Sequence, residues 1–169
     1  MSFYVITDTH FGHYKLTEYN ARPQDFTQKI LDNLSTFKFS SSDVLIHLGD
    51  FCIGNDEMWT NAFMTTVPCK KWLVLGNHDR KSISWYLSHG WDFVAESFEM
   101  KYGGFNILFS HVPRRNSDYP SIDFNIHGHL HNNIHRTEEE SFIHPDFNVL
   151  LAIENTNYNP VKLERLIQR

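Results

Sequence analysis

Short apolar runs recur along the first half of the chain, and each one ends in polar residues. The runs at 3–6, 44–48 and 72–75 are too short for helices and consist mostly of aliphatic and aromatic residues, so each predicts a buried strand. The segments between them place apolar residues at helical spacing, which predicts helices beginning near Asp25 and Asn55. Alternating strands and helices are typical of α/β proteins.

The second half of the chain changes to a two-residue alternation. Apolar and polar residues alternate at 98–102 and 105–109, on either side of Gly103-Gly104, which predicts a β-hairpin whose turn requires positive φ angles. Further strands are predicted at 124–127 and 147–153, and short helices at 82–89 and 163–168. We therefore expect a mixed α/β fold in one domain spanning 1–169.

Composition limits the kinds of protein this chain can be. Hydrophobic residues make up 41% of the 169 positions, enough for a globular core, and the formal net charge is −5. No block of Lys or Arg marks a nucleic-acid surface, and no run approaches the roughly 18 apolar residues of a membrane helix. Cys52 and Cys69 are too few for a disulfide framework, and no signal peptide precedes Phe3. These features predict a cytoplasmic protein without a membrane partner and leave its oligomeric state open.

Five polar signatures, each directly after an apolar run, carry side chains that bind metals. They are Asp8-Thr9-His10, Gly49-Asp50, Gly76-Asn77-His78-Asp79, His111 and Gly128-His129-Leu130-His131. Residues two positions apart leave a strand end on the same side, so the first carboxylate and imidazole can reach one ion together. Mixed nitrogen and oxygen ligands favour Mn, Fe, Zn, Co or Ni over Ca or Mg.

Asp50 is the natural candidate for a shared ligand. Gly49 permits a tight turn in front of it, and its carboxylate has two oxygens that can bridge two cations. With one carboxylate shared, seven donors divide into two sets of four, and two cations about 3.5–4 Å apart can clamp a phosphoryl group. The seven are Asp8, His10, Asp50, Asn77, His111, His129 and His131.

His78 lies beside the candidate ligand Asn77 but is not needed as a ligand itself. A protonated imidazole there can donate to a leaving-group oxygen, and we expect Asp79 to orient it. Arg80 can contact a non-bridging phosphate oxygen through two N–H groups. Arg114, in the loop after His111, is a second candidate substrate contact, with a solvated loop residue as the alternative.

In this order, the five signatures resemble the calcineurin-like metallophosphoesterase superfamily. The resemblance covers residues 8 to 131, about three quarters of the chain, and no ligand position is missing. The opening sequence at 8–13, Asp-Thr-His-Phe-Gly-His, and the segment 157–161 are similar to a compact bacterial and phage branch of predicted phosphoesterases.

The resemblance implies a four-layer αββα sandwich, with two mixed β-sheets packed face to face and helices outside. It implies two divalent transition-metal ions, Mn²⁺ being the first expectation and Fe, Zn, Ni or Co the alternatives. One ion would be held by Asp8, His10, Asp50 and His131, and the other by Asp50, Asn77, His111 and His129. His78 matches the family's non-ligand histidine, which acts as the acid for the leaving group.

The remaining polar residues have less specific interpretations. His47 and His127 lie within apolar runs and are predicted to be buried strand histidines, although His127 can also support a metal ligand from behind. His13 either lines the substrate entrance or ends its loop, and Cys52 is predicted to be a buried free thiol. His135 is given no role, and the acidic run 138–140 is predicted to be a solvated turn.

Together these features predict a dinuclear metal-dependent phosphoesterase that hydrolyses a small phosphodiester, nucleotide or phosphomonoester. A metal-dependent nuclease acting on single-stranded nucleic acid is an alternative, disfavoured by the acidic charge and the lack of a basic stripe. A non-catalytic metal-binding scaffold is the alternative of another class. The sequence leaves the substrate and the physiological metal open.

Overall fold

A computed structural model describes residues 1–132 and 141–168, and within them two β-sheets form the centre of the molecule. The first sheet has five strands in the spatial order β4-β3-β2-β1-β9, of which β1 to β4 are parallel and β9 is antiparallel to β1. Its strands are β1 (Phe3–Ile6), β2 (Val44–His47), β3 (Lys70–Val74), β4 (Phe93–Ala95) and β9 (Val161–Lys162).

The second sheet has four strands in the order β5-β6-β7-β8. Its strands are β5 (Ser97–Tyr102), β6 (Phe105–Ser110), β7 (Phe124–His127) and β8 (Asn148–Leu150). β5 and β6 form the predicted hairpin, with Gly103 and Gly104 at φ 59° and 89°, whereas β6, β7 and β8 are parallel. Both sheets are therefore mixed.

Most of the described helices lie between strands of the first sheet, and one follows β9. They are α1 (Leu16–Tyr19), α2 (Phe26–Thr36), α3 (Asp56–Thr66), α4 (Ile83–Ser88) and α5 (Leu163–Leu166). Helix α4 begins at a side-chain cap, since the Ser82 hydroxyl accepts a hydrogen bond from the Trp85 amide. Two single-turn 3-10 helices, Asn116–Asp118 and Ile153–Thr156, lie in loops of the second half.

The two faces of the first sheet bury different cores. On one face, Ile6, Leu45 and Leu73 pack with residues of α2 and α3, such as Ile30 and Phe63. On the other face, side chains of β1 and β2 pack directly against those of β6 and β7 in the second sheet. Two mixed sheets packed face to face with flanking helices confirm the predicted architecture.

The predicted strand at 147–153 is too long. Only Asn148–Leu150 forms a strand, and the chain then turns into the 3-10 helix Ile153–Thr156, which buries Ile153 and turns Glu154 inward. Short elements such as α1, β4 and β9 were not predicted, because two to four residues carry too little periodicity to be recognised. His135 and the acidic run 138–140 lie outside the described residues. Among the described helices, none has the length and apolar character needed to cross a membrane.

Candidate metal centre

All five signatures meet at one edge of the sandwich. Each follows the carboxyl end of a strand, three of them in the first sheet (β1, β2 and β3) and two in the second (β6 and β7). Because the strands within each set are parallel, their ends and the loops after them lie side by side. The fold therefore brings together the seven candidate ligands Asp8, His10, Asp50, Asn77, His111, His129 and His131.

The first group of ligand atoms comes from Asp8, His10 and His131, all of which are buried. One atom from each lies within 4.8 Å of the other two. The Nε2 atoms of His10 and His131 are both 3.8 Å from Asp8 Oδ1. These distances suit three ligands that point at a common centre without bonding to one another.

The second group comes from Asp50, His111 and His129, again with one atom from each within 4.8 Å of the others. His111 Nε2 lies 3.3 Å from Asp50 Oδ2, 3.1 Å from His129 Nδ1 and 3.1 Å from Asn77 Oδ1. His111 Nδ1 lies 2.8 Å from the Leu48 carbonyl oxygen, which fits an Nδ1–H donor and leaves Nε2 free to act as a ligand.

Asp50 lies between the two groups. Its Oδ2 is 3.4 Å from His10 Nε2 in the first group and 3.3 Å from His111 Nε2 in the second. Its Oδ1 accepts a hydrogen bond from the His78 amide at 2.9 Å, which fixes the rotation of the carboxylate. Asp50 Oδ2 therefore lies close to a ring nitrogen of each group.

Several buried polar atoms of the first group are left without a hydrogen bond. Within the part of the chain that the structure describes, Asp8 Oδ1 and both ring nitrogens of His10 have no hydrogen-bond partner. An unsatisfied buried polar group is costly, so such atoms are normally paired. A divalent cation would supply the missing partner for Asp8 Oδ1 and His10 Nε2, and the donor set therefore fits a metal.

The charges of the site are strongly coupled. Burial by itself raises the pKa of the Asp50 carboxyl, but the hydrogen bond and charge of His111, together with His10, outweigh it and hold this pKa well below its usual range. Burial likewise lowers the pKa of His111, yet the hydrogen bond with Asp50 and the Asp8 carboxylate raise it to about 9. For His10 burial dominates and lowers the pKa. Asp50 is thus anionic, and His10 is neutral as a ligand must be.

Most of the ligand residues have an unusual backbone conformation. Left-handed φ angles occur at Asp8 (49°), His10 (45°), Asp50 (54°), His129 (69°) and His131 (54°). This region is unfavourable for residues other than glycine, and it persists where surrounding contacts fix it. Two such contacts are the hydrogen bonds from the Asp8 amide to the Gly49 carbonyl and from the His10 amide to the Asp50 carbonyl, both 3.0 Å.

His78 lies beside the centre, near Asp50 and His10. Its side chain is 36% exposed, its Nε2 lies 4.0 Å from Asp50 Oδ2, and its ring is 5.4 Å from that of His10. The expected contact with Asp79 is not what the structure shows. Asp79 instead accepts hydrogen bonds from three backbone amides, those of Asp50, Phe51 and Gly76, at 2.7–3.0 Å. Its carboxylate joins the loops after β2 and β3, because both of its oxygens face these amides.

Two adjoining cavities open at the centre. The cleft over the ligands has a volume of about 290 Å³ and includes His10, Asp50, Asn77 and His131 in its lining. A neighbouring cavity of about 480 Å³ is lined by Ile53, Asp56, Arg80 and Lys81, among others. His13 and His78 belong to both linings and so separate the two spaces.

The candidate substrate contacts differ in position. Arg80 lines the neighbouring cavity, and His13 lies in the wall shared by the two cavities, with its ring 5.4 Å from that of His10. Arg114 lines neither cavity within the described residues. Its backbone is fixed by a hydrogen bond from its amide to Asn125 Oδ1 and another from Asn148 Nδ2 to its carbonyl.

The strand histidines and Cys52 are buried. His47 is fully buried, its Nε2 is 2.9 Å from the Thr9 hydroxyl, and burial lowers its pKa to about 3. His127 is also buried, with its Nδ1 donating to the Gly128 carbonyl at 3.0 Å, and burial lowers its pKa to about 4. Cys52 is a buried free thiol whose pKa burial raises. These positions confirm the sequence-based interpretations.

Two residues beside the centre were not predicted. Arg22 and Glu154 form a buried ion pair with 2.7 Å between Nη2 and Oε1, and Glu154 Oε1 is 3.0 Å from His131 Nδ1. Burial by itself raises the pKa of Glu154, but the hydrogen bond of His131 and the charge of Arg22 outweigh it and lower this pKa to about 2. Nothing in the pattern indicated them, because Arg22 lies in a polar loop and Glu154 follows a predicted strand.

Comparison with known families gives a match over most of the chain. The family model described as calcineurin-like phosphoesterase matches residues 1–162. The chain belongs to this family. It is accordingly a hydrolase acting on phosphoester bonds, and the two candidate ligand groups occur where its sequence signatures lie.

Individual relatives of this phosphoesterase are distant. An uncharacterized protein of Methanocaldococcus jannaschii is 26% identical over 98% of this chain and 89% of its own length. A solved structure of a protein of unknown function from Aquifex aeolicus has a TM-score of 0.77 and 26% identity, covering 98% of this chain and 97% of that one. A structure of an archaeal phosphodiesterase has a TM-score of 0.50 and 16% identity, over 76% and 73% of the two chains, and shares the fold.

Proposed function

We propose that this chain is a dinuclear metal-dependent phosphoesterase that hydrolyses a small phosphodiester, nucleotide or phosphomonoester within a single domain. The observation that carries the proposal is the position of Asp50 Oδ2, 3.4 Å from His10 Nε2 and 3.3 Å from His111 Nε2. A carboxylate that contacts two separate ligand groups is suited to bridge two ions. Family membership supports the reaction class.

Each ion would have four protein ligands. Asp8, His10, Asp50 and His131 would hold one, and Asp50, Asn77, His111 and His129 the other. The mixed nitrogen and oxygen donors suit Mn²⁺, with Fe, Zn, Ni or Co as alternatives. Divalent ions bound there would lower the pKa of a coordinated water to about 7 and offset the charge of the phosphoryl group.

His78 is proposed as the general acid. Its partly exposed ring lies between the metal cleft and the neighbouring cavity, so a leaving group placed in that cavity would present its oxygen to this imidazole. The ring would donate its proton to the departing oxygen. Arg80 lines the same cavity and is proposed to bind an anionic group on the leaving side, whereas Asp79 supports the loop through backbone amides.

The dimensions and charge of the site favour a small substrate. The two cavities, about 290 and 480 Å³, suit a nucleotide-sized molecule, and the net charge of −5 disfavours binding of a long polyanionic backbone. The free, buried cysteines Cys52 and Cys69 fit a reducing compartment such as the cytoplasm, which we propose as the location.

Two variants test the assignment of roles. We expect Asp50→Asn to lose bound metal and activity together, because it removes the charge of the bridging carboxylate. His78→Ala should retain both ions but lose about 10²- to 10⁴-fold in kcat, the usual contribution of a general acid. Metal content and hydrolysis of a chromogenic phosphodiester are measured on the same samples. An Asp50→Asn protein with two ions and wild-type rates would show that the bridging assignment is wrong.

A screen with Mn²⁺ then narrows the substrate. Cyclic nucleotides, dinucleotides, phosphomonoesters and single-stranded DNA are compared at low and high salt. If DNA is hydrolysed, and if this activity falls steeply with salt while the activity on small substrates does not, the nuclease alternative is favoured, because polymer binding releases counterions. A protein that binds two ions but hydrolyses nothing in this panel would favour the scaffold alternative.

A further inference from the structure

A buried arginine lies directly behind the first ligand group. The Arg22 side chain is inaccessible to solvent, and its guanidinium donates to Glu154 Oε1 from Nε at 2.9 Å and from Nη2 at 2.7 Å. Nη2 also donates to the Asp8 carbonyl at 2.8 Å. A charged group buried this completely needs a partner, and here the partner is the Glu154 carboxylate.

Glu154 also contacts His131, one of the proposed metal ligands. Its Oε1 is 3.0 Å from His131 Nδ1, while His131 Nε2 faces Asp8 Oδ1 at 3.8 Å. Arg22 Nη2 is also 3.2 Å from His131 Nδ1, but its two hydrogens are already used by Glu154 and by the Asp8 carbonyl. A carboxylate accepts hydrogen bonds only, so it selects the tautomer with hydrogen on Nδ1 and a free lone pair on Nε2.

In the second ligand group, the His111 ring has a different kind of acceptor behind it. His111 Nδ1 donates to the backbone carbonyl of Leu48, a neutral acceptor. A carboxylate makes an imidazole a stronger electron donor than a carbonyl does, and such outer contacts are worth roughly 10- to 100-fold in metal affinity. His131 and His111 therefore differ in the acceptor that supports them, a carboxylate for His131 and a backbone carbonyl for His111.

We infer that Glu154, held in place by Arg22, is a positioning residue that fixes His131 for one of the two ions. The pair contributes to the ion that His131 binds and not to the other, because near the centre it contacts His131 and the backbone of Asp8 and Thr9. This inference rests on the dinuclear function proposed above. It concerns residues in the loop after α1 and in the 3-10 helix after β8, outside the five sequence signatures.

Glu154→Gln tests the role with little change in shape. The amide oxygen can still accept the hydrogen bonds of Glu154 Oε1, whereas the negative charge is lost. Glu164→Gln is the matched control, since Glu164 is also a glutamate with a side-chain hydrogen bond, to the Tyr102 hydroxyl at 2.5 Å. Mn²⁺ is titrated calorimetrically into metal-free protein, and thermal unfolding of the metal-free proteins is followed by circular dichroism.

The expected result is selective. In Glu154→Gln one of the two Mn²⁺ affinities falls by about 10- to 100-fold, the other changes by less than about 3-fold, and both are unchanged in Glu164→Gln. Unchanged affinities, or equal losses at both sites, would overturn the positioning role, the latter indicating a general structural pair. If Glu154→Gln does not fold without metal, Arg22→Lys is the second variant. It keeps both charges but loses the paired Nε and Nη2 donors that hold Glu154. The same selective loss of one Mn²⁺ affinity is expected of it. Wild-type protein that binds fewer than two ions would instead refute the proposed dinuclear function.

Discussion

Gly128, the first residue of the Gly-His-Leu-His signature, should not tolerate even one added methyl group. A Cβ at this position would lie 2.1 Å from the Thr7 hydroxyl oxygen and 2.3 Å from Asp8 Oδ2. Both atoms would have to move by roughly 0.7–0.9 Å to reach the shortest Cβ contacts found in proteins, about 3.0 Å. Asp8 Oδ2 now accepts hydrogen bonds from the Thr7 hydroxyl at 2.6 Å and from the His129 amide at 3.0 Å, and this movement would break them.

The magnitude follows from these contacts. Overpacking a tight interior costs about 1–3 kcal/mol, and each lost hydrogen bond to a charged group about 1.5–3 kcal/mol, so Gly128→Ala should lose about 4 kcal/mol or more of unfolding free energy. Urea unfolding of metal-free protein measures this loss, and Mn²⁺ titration should show weaker binding because Asp8 is displaced.

Gly54→Ala is the control for Gly128→Ala. Gly54 also lies in a loop near the site, but a Cβ there has no atom within 4 Å, and its positive φ of 67° limits the expected cost to about 1 kcal/mol. If Gly128→Ala were as stable as Gly54→Ala and bound Mn²⁺ with wild-type affinity, the reasoning from close packing would be refuted.

Three further predictions concern stability. Phe63→Ala should cost about 3–5 kcal/mol in urea unfolding, because Phe63 is fully buried among Phe51 and Trp91; a loss under 1 kcal/mol would contradict this. The pKa of His47 is about 3 in the folded protein and about 6.5 when the chain is unfolded. Between these values only the unfolded state binds the proton, so the free energy of unfolding decreases as the pH falls from 6.5 towards 3. His47→Asn should therefore reduce the pH slope of unfolding free energy in this range by up to about 1.4 kcal/mol per pH unit, and equal slopes would refute the assignment. Tyr102→Phe removes the hydrogen bond to Glu164 and should lower stability by about 0.5–1.5 kcal/mol at pH 7, measured by thermal unfolding, with Tyr119→Phe as the unaffected comparison.

The sequence predicted those parts of the fold whose patterns are long enough to recognise. The apolar runs at 3–6 and 124–127 and the Gly103-Gly104 turn correspond to β1, β7 and the hairpin. The two- to four-residue elements were missed because tertiary contacts, and not periodicity, form them. Strand β9, for example, consists of two residues that pair with Tyr4 and Val5.

For the site, spacing after strand ends indicated the ligand types, because a parallel sheet brings such ends together. It did not indicate Arg22 and Glu154, which are 132 positions apart and become partners only in the folded chain. Asp79 shows the same limit. Because Asp79 follows His78 in the sequence, a contact between its carboxylate and the His78 ring was expected. The carboxylate instead accepts hydrogen bonds from the amides of Asp50, Phe51 and Gly76.

Each ligand group takes residues from both sheets, and this has a mechanical consequence. Asp8 and His10 follow a strand of the first sheet and His131 one of the second, while Asp50 belongs to the first sheet and His111 and His129 to the second. Ions bound there would cross-link the two layers at one edge. The sheets could then separate only by breaking coordination bonds, so metal loading should slow amide hydrogen exchange throughout β1 and β7, at residues that do not themselves hold an ion.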